Sequence, residues 1–295
     1  MYAPVAVSTY ARVEHFKRTI EALKKNTLAS VSELYIFSDA PRMGDEEKVM
    51  HIRRYAHSLD GFKKIHVVER GNNDRIANNR GGMKTLLDQF GRMIFLEEDI
   101  VTAPGFLQFM NDALEYYRDH DRILSITGYC PPLSIPRDLK IDCFVLQRFC
   151  AWGFGAWRHK FDPFSFALQS HGVDQFFKDR NEIRRFKENG EDMMTMLLRE
   201  KNGEIDALDV KVMYYEFRKN MFSLYPASSL VQNIGHDGSG IHCGISEKFD
   251  VSLWQKKEGF IFQDQIYPDE RIIKANKKFR KIGIKGKFMN WIHGG

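Results

Sequence analysis

The stretch MIFLEEDIVTAPGFLQFMN, residues 93–111, contains the change of pattern that decides the fold. Residues 93–96 form an apolar run with the length of a buried strand, and the run ends at consecutive acids, 97–99. Apolar residues then recur at helical spacing over 106–117. A buried strand, an acidic turn and an amphipathic helix in succession predict one unit of an α/β sheet, with the acids at the carboxyl end of the strand.

The acids Glu97, Glu98 and Asp99 repel one another unless a positive group lies among them. Mg²⁺ and Mn²⁺ prefer oxygen ligands, and such a site typically combines one or two carboxylates with substrate phosphates. The acidic turn therefore predicts a Mn²⁺ or Mg²⁺ site that also takes phosphate groups. The structural alternative is a solvated turn that caps the next helix with the help of Thr102 and Pro104.

Length and composition fit a globular protein with room for one large domain or two small ones. The chain has 295 residues, of which 43% are hydrophobic and 28% charged. No apolar run is long enough to span a membrane, and the first residues lack the basic start and apolar core of a signal peptide. The cysteines show no CxxC spacing, so we expect reduced thiols and a cytoplasmic protein.

The C-terminal stretch 271–295 is basic, contains no acid and has apolar and aromatic residues interleaved among its Lys and Arg residues. Such a segment is typical of adsorption to an anionic bilayer, which predicts peripheral attachment to the inner face of a membrane. A solvated tail or a packed terminal helix is the alternative. Nucleic acid is not an expected partner, because no recognition motif accompanies the charge.

The first 130 residues alternate strand patterns with helix patterns. This alternation predicts a mostly parallel sheet covered on both faces, with ligands bound beyond the carboxyl ends of the strands. No GxGxxG and no GxxxxGK[ST] follows the first strand, which argues against a dinucleotide fingerprint and a P-loop. The strands are predicted at 5–9, 34–37, 65–68 and 93–96, and the helices at 14–25, 46–59 and 80–90.

The second half is less regular. An aromatic region around 152–166 includes Trp152 and Trp157, which are candidates for stacking on a sugar or for core packing. Helices are predicted at 174–187, 192–199 and 207–218, and a glycine-rich loop at 228–242. The predicted organisation is one catalytic domain, 1–270, with a nucleotide-binding half at about 1–130 and an acceptor half at about 131–270, followed by the basic extension 271–295.

Five segments, taken together and in this order, resemble GT-A fold glycosyltransferases. They are VAVSTYAR from residue 5, IFSDA from 36, FLEEDIVTAPGFLQFMNDAL from 95, AWGFGAW from 151 and SLVQNIGHDGSGIH from 229. The nearest likeness is to bacterial sugar transferases related to N-acetylglucosaminyltransferase I. The resemblance covers most of the chain and implies a Rossmann-like α/β fold with a mixed C-terminal half.

The resemblance also implies roles at a donor site. Asp99 would bind the metal that bridges the two phosphates of a nucleotide-sugar, with Glu97 and Glu98 beside it and Glu98 facing the ribose or the donor sugar. Asp39 matches the position that reads the uracil edge, and Arg12 the arginine that contacts the phosphates. The chain has EED where the family usually has EDD, so the middle acid is one methylene longer.

An inverting transferase needs a general base for the acceptor hydroxyl. The acids Asp192, Asp206 and Asp209 are candidates; the resemblance favours Asp206, with Asp192 second, and N-capping is the alternative role. The histidines nearest this chemistry are His236 and His242. Each is a candidate for contact with phosphate or metal, with a structural role as the alternative, and we assign His242 as a second metal ligand.

The sequence therefore predicts a metal-dependent, inverting hexosyltransferase of polysaccharide biosynthesis. It would move a sugar, with N-acetylglucosamine as a candidate, from a UDP-sugar to a hydroxyl of a glycan or lipid-linked acceptor. The alternatives are an inactive nucleotide- or glycan-binding module at a membrane and a sugar nucleotidyltransferase. The intact acidic turn counts against the first, and the absence of a glycine-rich basic loop after the first strand counts against the second.

Overall fold

The computed structural model describes residues 2–239 and 244–281. The strands are β1 Val5–Thr9, β2 Glu33–Ser38, β3 Lys64–Glu69, β4 Arg92–Glu97, β5 Ile100–Thr102, β6 Ile123–Thr127, β7 Cys143–Leu146, β8 Phe154–Trp157, β9 Phe222–Pro226 and β10 Val231–Asn233. The helices are α1 Val13–Lys24, α2 Glu46–His57, α3 Arg75–Phe90, α4 Phe106–Tyr116, α5 Val173–Phe176, α6 Arg180–Phe186, α7 Asp192–Lys201, α8 Leu208–Lys219 and α9 Glu270–Phe279.

The central sheet has eight strands in the order β3-β2-β1-β4-β8-β6-β9-β7. The strands β3, β2, β1 and β4 are parallel neighbours, and β9 is parallel to β6. In the second half β8 and β7 run antiparallel to their neighbours. The expected fold class, an α/β protein with a mostly parallel central sheet and a mixed C-terminal half, is confirmed.

Helices cover both faces of the sheet because successive side chains of each strand point to opposite sides. On one side Val5 and Val7 of β1 belong to the same apolar cluster as Phe16 of α1. On the other side Ala6 of β1 belongs to a cluster with Met83 of α3. Strands buried on both faces read as continuous apolar runs, which is the pattern that made β1, β2 and β4 recognisable in the sequence.

The helix predicted over 80–90 begins earlier, at Arg75. Its N-cap is Asp74, whose Oδ1 accepts the N–H of Ala77 at 2.9 Å. The first turns carry Asn78 and Asn79 toward the sheet, so polar side chains occupy inward positions and interrupt the apolar periodicity. The sequence prediction was therefore too short at this end.

The helix predicted over 174–187 is two short helices, α5 and α6. The break lies at Asp179, which caps α6 by accepting the N–H groups of Asn181 and Glu182 at 2.8 and 3.2 Å. Together with α7 and α8 these helices enclose a separate apolar cluster that includes Phe176, Phe186 and Tyr214.

The predicted loop 228–242 contains a strand, β10, which pairs antiparallel with β5 immediately after the acidic turn. The N–H of Ile234 then donates to the carbonyl of Asp99 at 2.9 Å. This pairing brings the glycine-rich segment against the acids of β4.

The predicted C-terminal extension begins with α9, and this helix packs on the body of the protein. Ile272 is fully buried, and Nδ2 of Asn276 donates to the carbonyl of Asn189 at 3.1 Å. Residues 282–295 lie outside the described part of the chain, so membrane attachment of the extension stays a prediction. Among the described helices, none has the length and apolar character that crossing a bilayer requires.

Candidate functional site

The carboxyl ends of β1, β2 and β4 bring Arg12, Asp39 and the acidic turn to one edge of the sheet. The register pairs Thr9 with Ser38 and Ser8 with Glu97, so the residues that follow each strand are neighbours. This convergence is what parallel strands predict.

Glu98 holds Arg12 in place. Its Oε1 accepts Nε of Arg12 at 2.7 Å, and its Oε2 accepts Oγ1 of Thr9 at 2.7 Å and the N–H of Tyr10 at 2.6 Å. The carboxylate is buried and bonded at both oxygens. Glu98 therefore fixes the residues after β1 and aims the guanidinium, while its predicted contact with a ribose or donor sugar stays a prediction.

The two carboxylate oxygens of Asp99 differ in their hydrogen bonding. Its Oδ2 accepts Nη2 of Arg12 at 2.8 Å. Its Oδ1 is buried and finds no hydrogen-bond donor among residues 2–239 and 244–281. A buried carboxylate oxygen without a partner is costly, so this atom fits the binding of a cation.

Gly235, which follows β10, lies directly against Asp99. A Cβ at this position would be 2.1 Å from Oδ2 of Asp99 and 2.9 Å from Nη1 of Arg12. Because no side chain can be accommodated there, the close approach of the two loops depends on glycine.

The protein ligands available to a metal are few. No group of three or more His, Cys, Asp or Glu residues with metal-site spacing exists in the described part of the chain. His242, the predicted second ligand, lies outside the described residues. Asp99 alone fits the pattern in which Mg²⁺ takes one or two carboxylates and completes its shell with substrate phosphates and water.

Two acids at the site have raised pKa values. Burial, together with the charges of Asp99 and Asp209, raises the pKa of Glu97 to about 7. Burial raises the pKa of Asp209, in the first turn of α8, to about 6, although the charges of Arg148 and Arg75 oppose the shift. A carboxyl group whose pKa lies near neutrality and that faces other site residues suits proton transfer.

The two acids favoured from the sequence are engaged in ion pairs. Asp206 accepts Nη2 of Arg80 at 2.5 Å and Nζ of Lys211 at 2.7 Å, and these partners lower its pKa against the effect of partial burial. Asp192 accepts Nη1 and Nη2 of Arg148 at 3.0 and 2.7 Å, and its pKa is likewise lowered against burial. The catalytic assignments of Asp206 and Asp192 stay predictions, and Asp209 is the one of the three whose pKa is raised.

Asp39 is buried at the end of β2 and shapes the segment before α3. Its Oδ1 accepts the N–H groups of Ala40 and Asp74 at 2.9 and 3.0 Å, and its Oδ2 accepts Nδ2 of Asn73 at 3.2 Å. Because a carboxylate oxygen has two acceptor sites, Oδ2 keeps the capacity for one further donor such as the N3–H of uracil.

The start of α3 adds two site residues that the sequence reasoning missed. Arg75 is exposed in the first turn, and its charge opposes the rise in pKa that burial causes at both Glu97 and Asp209. Nδ2 of Asn79 donates to Oε1 of Glu97 at 3.2 Å. The signal that could have located them is the N-cap residue Asp74, which marks the true beginning of the helix.

Aromatic rings border the glycine-rich segment. The His236 ring is 5.3 Å from Trp152 and stacks on Phe249 at 5.1 Å. Nε2 of His236 is buried and has no hydrogen-bond partner within the described ranges. Trp157, by contrast, is buried in the core and donates to the carbonyl of Leu114 at 2.9 Å, so Trp152 is the tryptophan beside the site.

Comparison with known proteins gives similarity to solved structures only. The sequence matches no protein-family model and no curated protein. The structure is similar to that of S. aureus TarS, at 11% identity and a TM-score of 0.36, over 59% of this chain and 30% of that one. It is also similar to the 1–349 fragment of TarS, at 13% identity and a TM-score of 0.37 over 54% of this chain and 47% of the fragment.

The same fragment in complex with UDP-GlcNAc gives 14% identity and a TM-score of 0.35, over 52% of this chain and 45% of the fragment. This chain thus covers less than half the length of each of these structures.

Proposed function

We propose that this chain is a metal-dependent, inverting hexosyltransferase of the GT-A type, which moves a sugar from a UDP-sugar to a hydroxyl group of an acceptor. The observation that carries the proposal is the pairing at the end of β4. Asp99 offers a buried oxygen that has no partner among the described residues, directly beside Arg12, whose guanidinium is aimed by Glu98. A carboxylate for a cation and a fixed arginine together suit a diphosphate.

The donor would be bound by residues from three strand ends and one helix. Arg12 and Arg75 supply positive charge for the diphosphate, and Asp39 accepts the N3–H that uracil has and cytosine lacks. Asp99 would hold Mn²⁺ or Mg²⁺, which when bound neutralises charge on the departing diphosphate. N-acetylglucosamine is a candidate for the transferred sugar.

For proton transfer we propose Asp209. Its carboxyl group shares the site with Glu97, and its pKa of about 6 makes it a stronger base than an ordinary aspartate while leaving it ionised at pH 7. Asp206 and Asp192 remain the alternatives, and each has cations that hold its carboxylate in place.

The acceptor would be a glycan or a lipid-linked glycan, which lies beside Trp152. In this proposal the enzyme is cytoplasmic, acts in polysaccharide biosynthesis and associates with the inner face of a membrane through the basic stretch 271–295. An aromatic ring at the edge of a site provides a flat apolar surface for a sugar ring.

One alternative has an observation in its favour. Asp206 and Asp192 are both engaged in ion pairs, so two of the three candidate bases also suit a protein without catalytic activity. Such a protein would be a module that binds a nucleotide-sugar without turning it over. A sugar nucleotidyltransferase has no comparable support, since the residues after β1, Tyr10 to Arg12, are not a glycine-rich basic loop.

The test is a panel of UDP-sugars incubated with the full chain, with and without Mn²⁺, and with release of UDP as the measurement. The proposal predicts metal-dependent release from at least one UDP-sugar, and loss of this release in Asp99→Asn but not in the control Asp119→Asn, an exposed acid at a distance. Binding of UDP without release from any sugar would favour the inactive module. Failure to bind UDP at all would contradict the proposal.

A further inference from the structure

A second charged cluster lies on the acceptor side of the site. It consists of Arg148 after β7, Asp192 at the start of α7 and Arg280 after α9; we call it the two-arginine cluster. Only 6% of Arg148 and 9% of Arg280 is exposed. Arginine is rarely buried to this extent unless its charge is paired.

The charges of the cluster do not balance. The Asp192 carboxylate binds Arg148 through two hydrogen bonds of 3.0 and 2.7 Å. Nη1 of Arg280 is 3.9 Å from Oδ2 of Asp192, which is too far for a hydrogen bond. Nε of Arg280 is buried and finds no acceptor within residues 2–239 and 244–281. Among the described residues, Arg280 therefore has no hydrogen-bonded anion.

The other neighbours of Arg280 do not supply that anion. The guanidinium lies over the rings of Phe249 and Phe279, 5.4 and 5.0 Å from their centroids, and Lys248 lies over the same two rings. Burial and the like charge of Arg148 lower the pKa of Arg280 against the attraction of Asp192. Contact with aromatic faces offsets part of the cost of burying a cation. It leaves Nε of Arg280 without an acceptor in the described part of the chain.

The main chain at Asn189 and Gly190 holds the side chains of the two-arginine cluster in place. Gly190 has a φ of +134°, and a Cβ there would come within 2.5 Å of both Nη1 of Arg148 and Oδ1 of Asp192. Nη1 of Arg148 also donates to the carbonyl of Asn189 at 3.1 Å. The main chain before α7 thus closes tightly around the side chains, and a preformed arrangement of this kind lowers the entropy lost on binding a ligand.

Contacts connect the cluster to the site. Gly235 touches Asp99, His236 stacks on Phe249, and Phe249 lies under Arg280. The charge of Arg148 also acts on Asp209. The side chain of Asp192 is 34% exposed, so the cluster opens to solvent there. Phe249 thus links Arg280 to the glycine-rich segment that lies against Asp99.

We propose that Arg280, with Arg148 behind it, binds an anionic group of the acceptor, a carboxylate or a phosphate, and so selects an acidic glycan. The inference rests on the proposed function, because it places the acceptor beside Asp209. A planar guanidinium with free N–H donors matches the oxygens of such groups, and charge-assisted hydrogen bonds of this type are strong.

The test is calorimetric binding of two small anions to the full chain with UDP present in excess, so that the donor site is filled. Glucuronate carries a carboxylate and glycerol 3-phosphate carries a phosphate; glucose and glycerol are their neutral counterparts. We expect at least one anion to bind more tightly than its neutral counterpart, and the tighter of the two identifies the group. Arg280→Gln should weaken that binding about tenfold or more, as expected for loss of hydrogen bonds to a charged group.

Two further variants separate the cluster from general basic charge and from misfolding. Lys274→Gln removes an exposed charge from α9 and should leave binding unchanged. Asp192→Asn removes the competing carboxylate and should strengthen binding, which a merely damaged fold would not do. If Arg280→Gln fails to fold, the anion affinity of Asp192→Asn tests the inference in its place.

Absence of any preference for the anions, equal binding by wild type and Arg280→Gln, or unchanged binding by Asp192→Asn would each overturn the inference. UDP affinity measured on the same samples keeps the two proposals apart. If UDP fails to bind while the anion still binds through Arg280, the proposed transferase activity fails and the anion site stands. If UDP binds and the anion does not, the anion site fails, and release of UDP from a UDP-sugar still decides the transferase proposal.

Discussion

Replacement of Asp209 by asparagine separates basicity from shape, because the side chain keeps its size and loses its proton-accepting charge. Burial raises the pKa of Asp209 to about 6, so the wild-type rate should fall as pH drops below about 6. Loss of a general base typically costs about 10²- to 10⁴-fold in rate, or about 2.7–5.5 kcal/mol at about 1.36 kcal/mol per tenfold. We expect this loss in Asp209→Asn, with UDP affinity nearly unchanged.

The same substitution should lower the rate but increase the stability of the fold. The raised pKa means that ionisation of Asp209 opposes folding. This cost appears as pH rises above the unfolded value of about 3.9, and it is fully present above pH 6. At about 1.36 kcal/mol per pKa unit, a shift of roughly 2 units gives about 2–3 kcal/mol. Without metal, Asp209→Asn should therefore be more stable to urea than wild type at pH 7.5, and the difference should vanish near pH 4.

The assay is steady-state UDP release with the acceptor present, over pH 5–8, alongside urea unfolding of the same samples. The variants Asp206→Asn and Asp192→Asn test the two alternative bases, and each loses one carboxylate that is already ion-paired. Turnover within threefold of wild type in Asp209→Asn would refute the assignment. If Asp206→Asn or Asp192→Asn loses turnover in its place, the base is that residue; if all three stay active, the base lies elsewhere or the configuration is retained.

Three further predictions concern the donor site and the C-terminus. Asp39→Ala should remove the preference for UDP over CDP, by about 1.5–3 kcal/mol in calorimetry, and equal binding of both nucleotides to wild type would exclude uracil recognition by Asp39. Gly235→Ala should weaken UDP binding with Mn²⁺, because its Cβ would lie 2.1 Å from Oδ2 of Asp99. The control Gly71→Ala should leave UDP binding unchanged, since a Cβ there has nothing within 4 Å. Equal UDP affinities of the two variants would show that the close approach of Gly235 to Asp99 is irrelevant. Truncation after Lys281 keeps α9 and should abolish salt-sensitive binding to anionic liposomes, while UDP binding should stay unchanged. Retained liposome binding would contradict membrane attachment through 282–295.

The meeting of Arg12, Asp39 and the acidic turn at one edge of the sheet was predictable from the sequence because it depends on strand ends. Once β1, β2 and β4 are recognised as buried parallel strands, Arg12, Asp39 and the acids after β4 must share one edge. The detailed role of Glu98 was not predictable. Its hydrogen bonds to Thr9, Tyr10 and Arg12 depend on the register between β1 and β4, two strands that lie far apart in sequence.

The acceptor side was less predictable for a physical reason. Asp206, Asp209 and Asp192 look alike in sequence, and what distinguishes them is burial and the arginine that each one meets in the folded chain. Arg280 belongs to a stretch that resembles a solvated basic tail, yet the packing of α9 buries it. Arg75 was missed because the polar first turns of α3 conceal the helical pattern.

The central claim, a diphosphate site organised by Asp99 and a cation, is tested most directly by calorimetric titration of UDP into wild type and Asp99→Ala, with and without Mn²⁺. We predict that Mn²⁺ strengthens UDP binding to wild type and has no effect on Asp99→Ala. Circular dichroism should show an unchanged fold, because Glu98 still holds Arg12. Equal, Mn²⁺-dependent UDP affinity in both proteins would contradict the account.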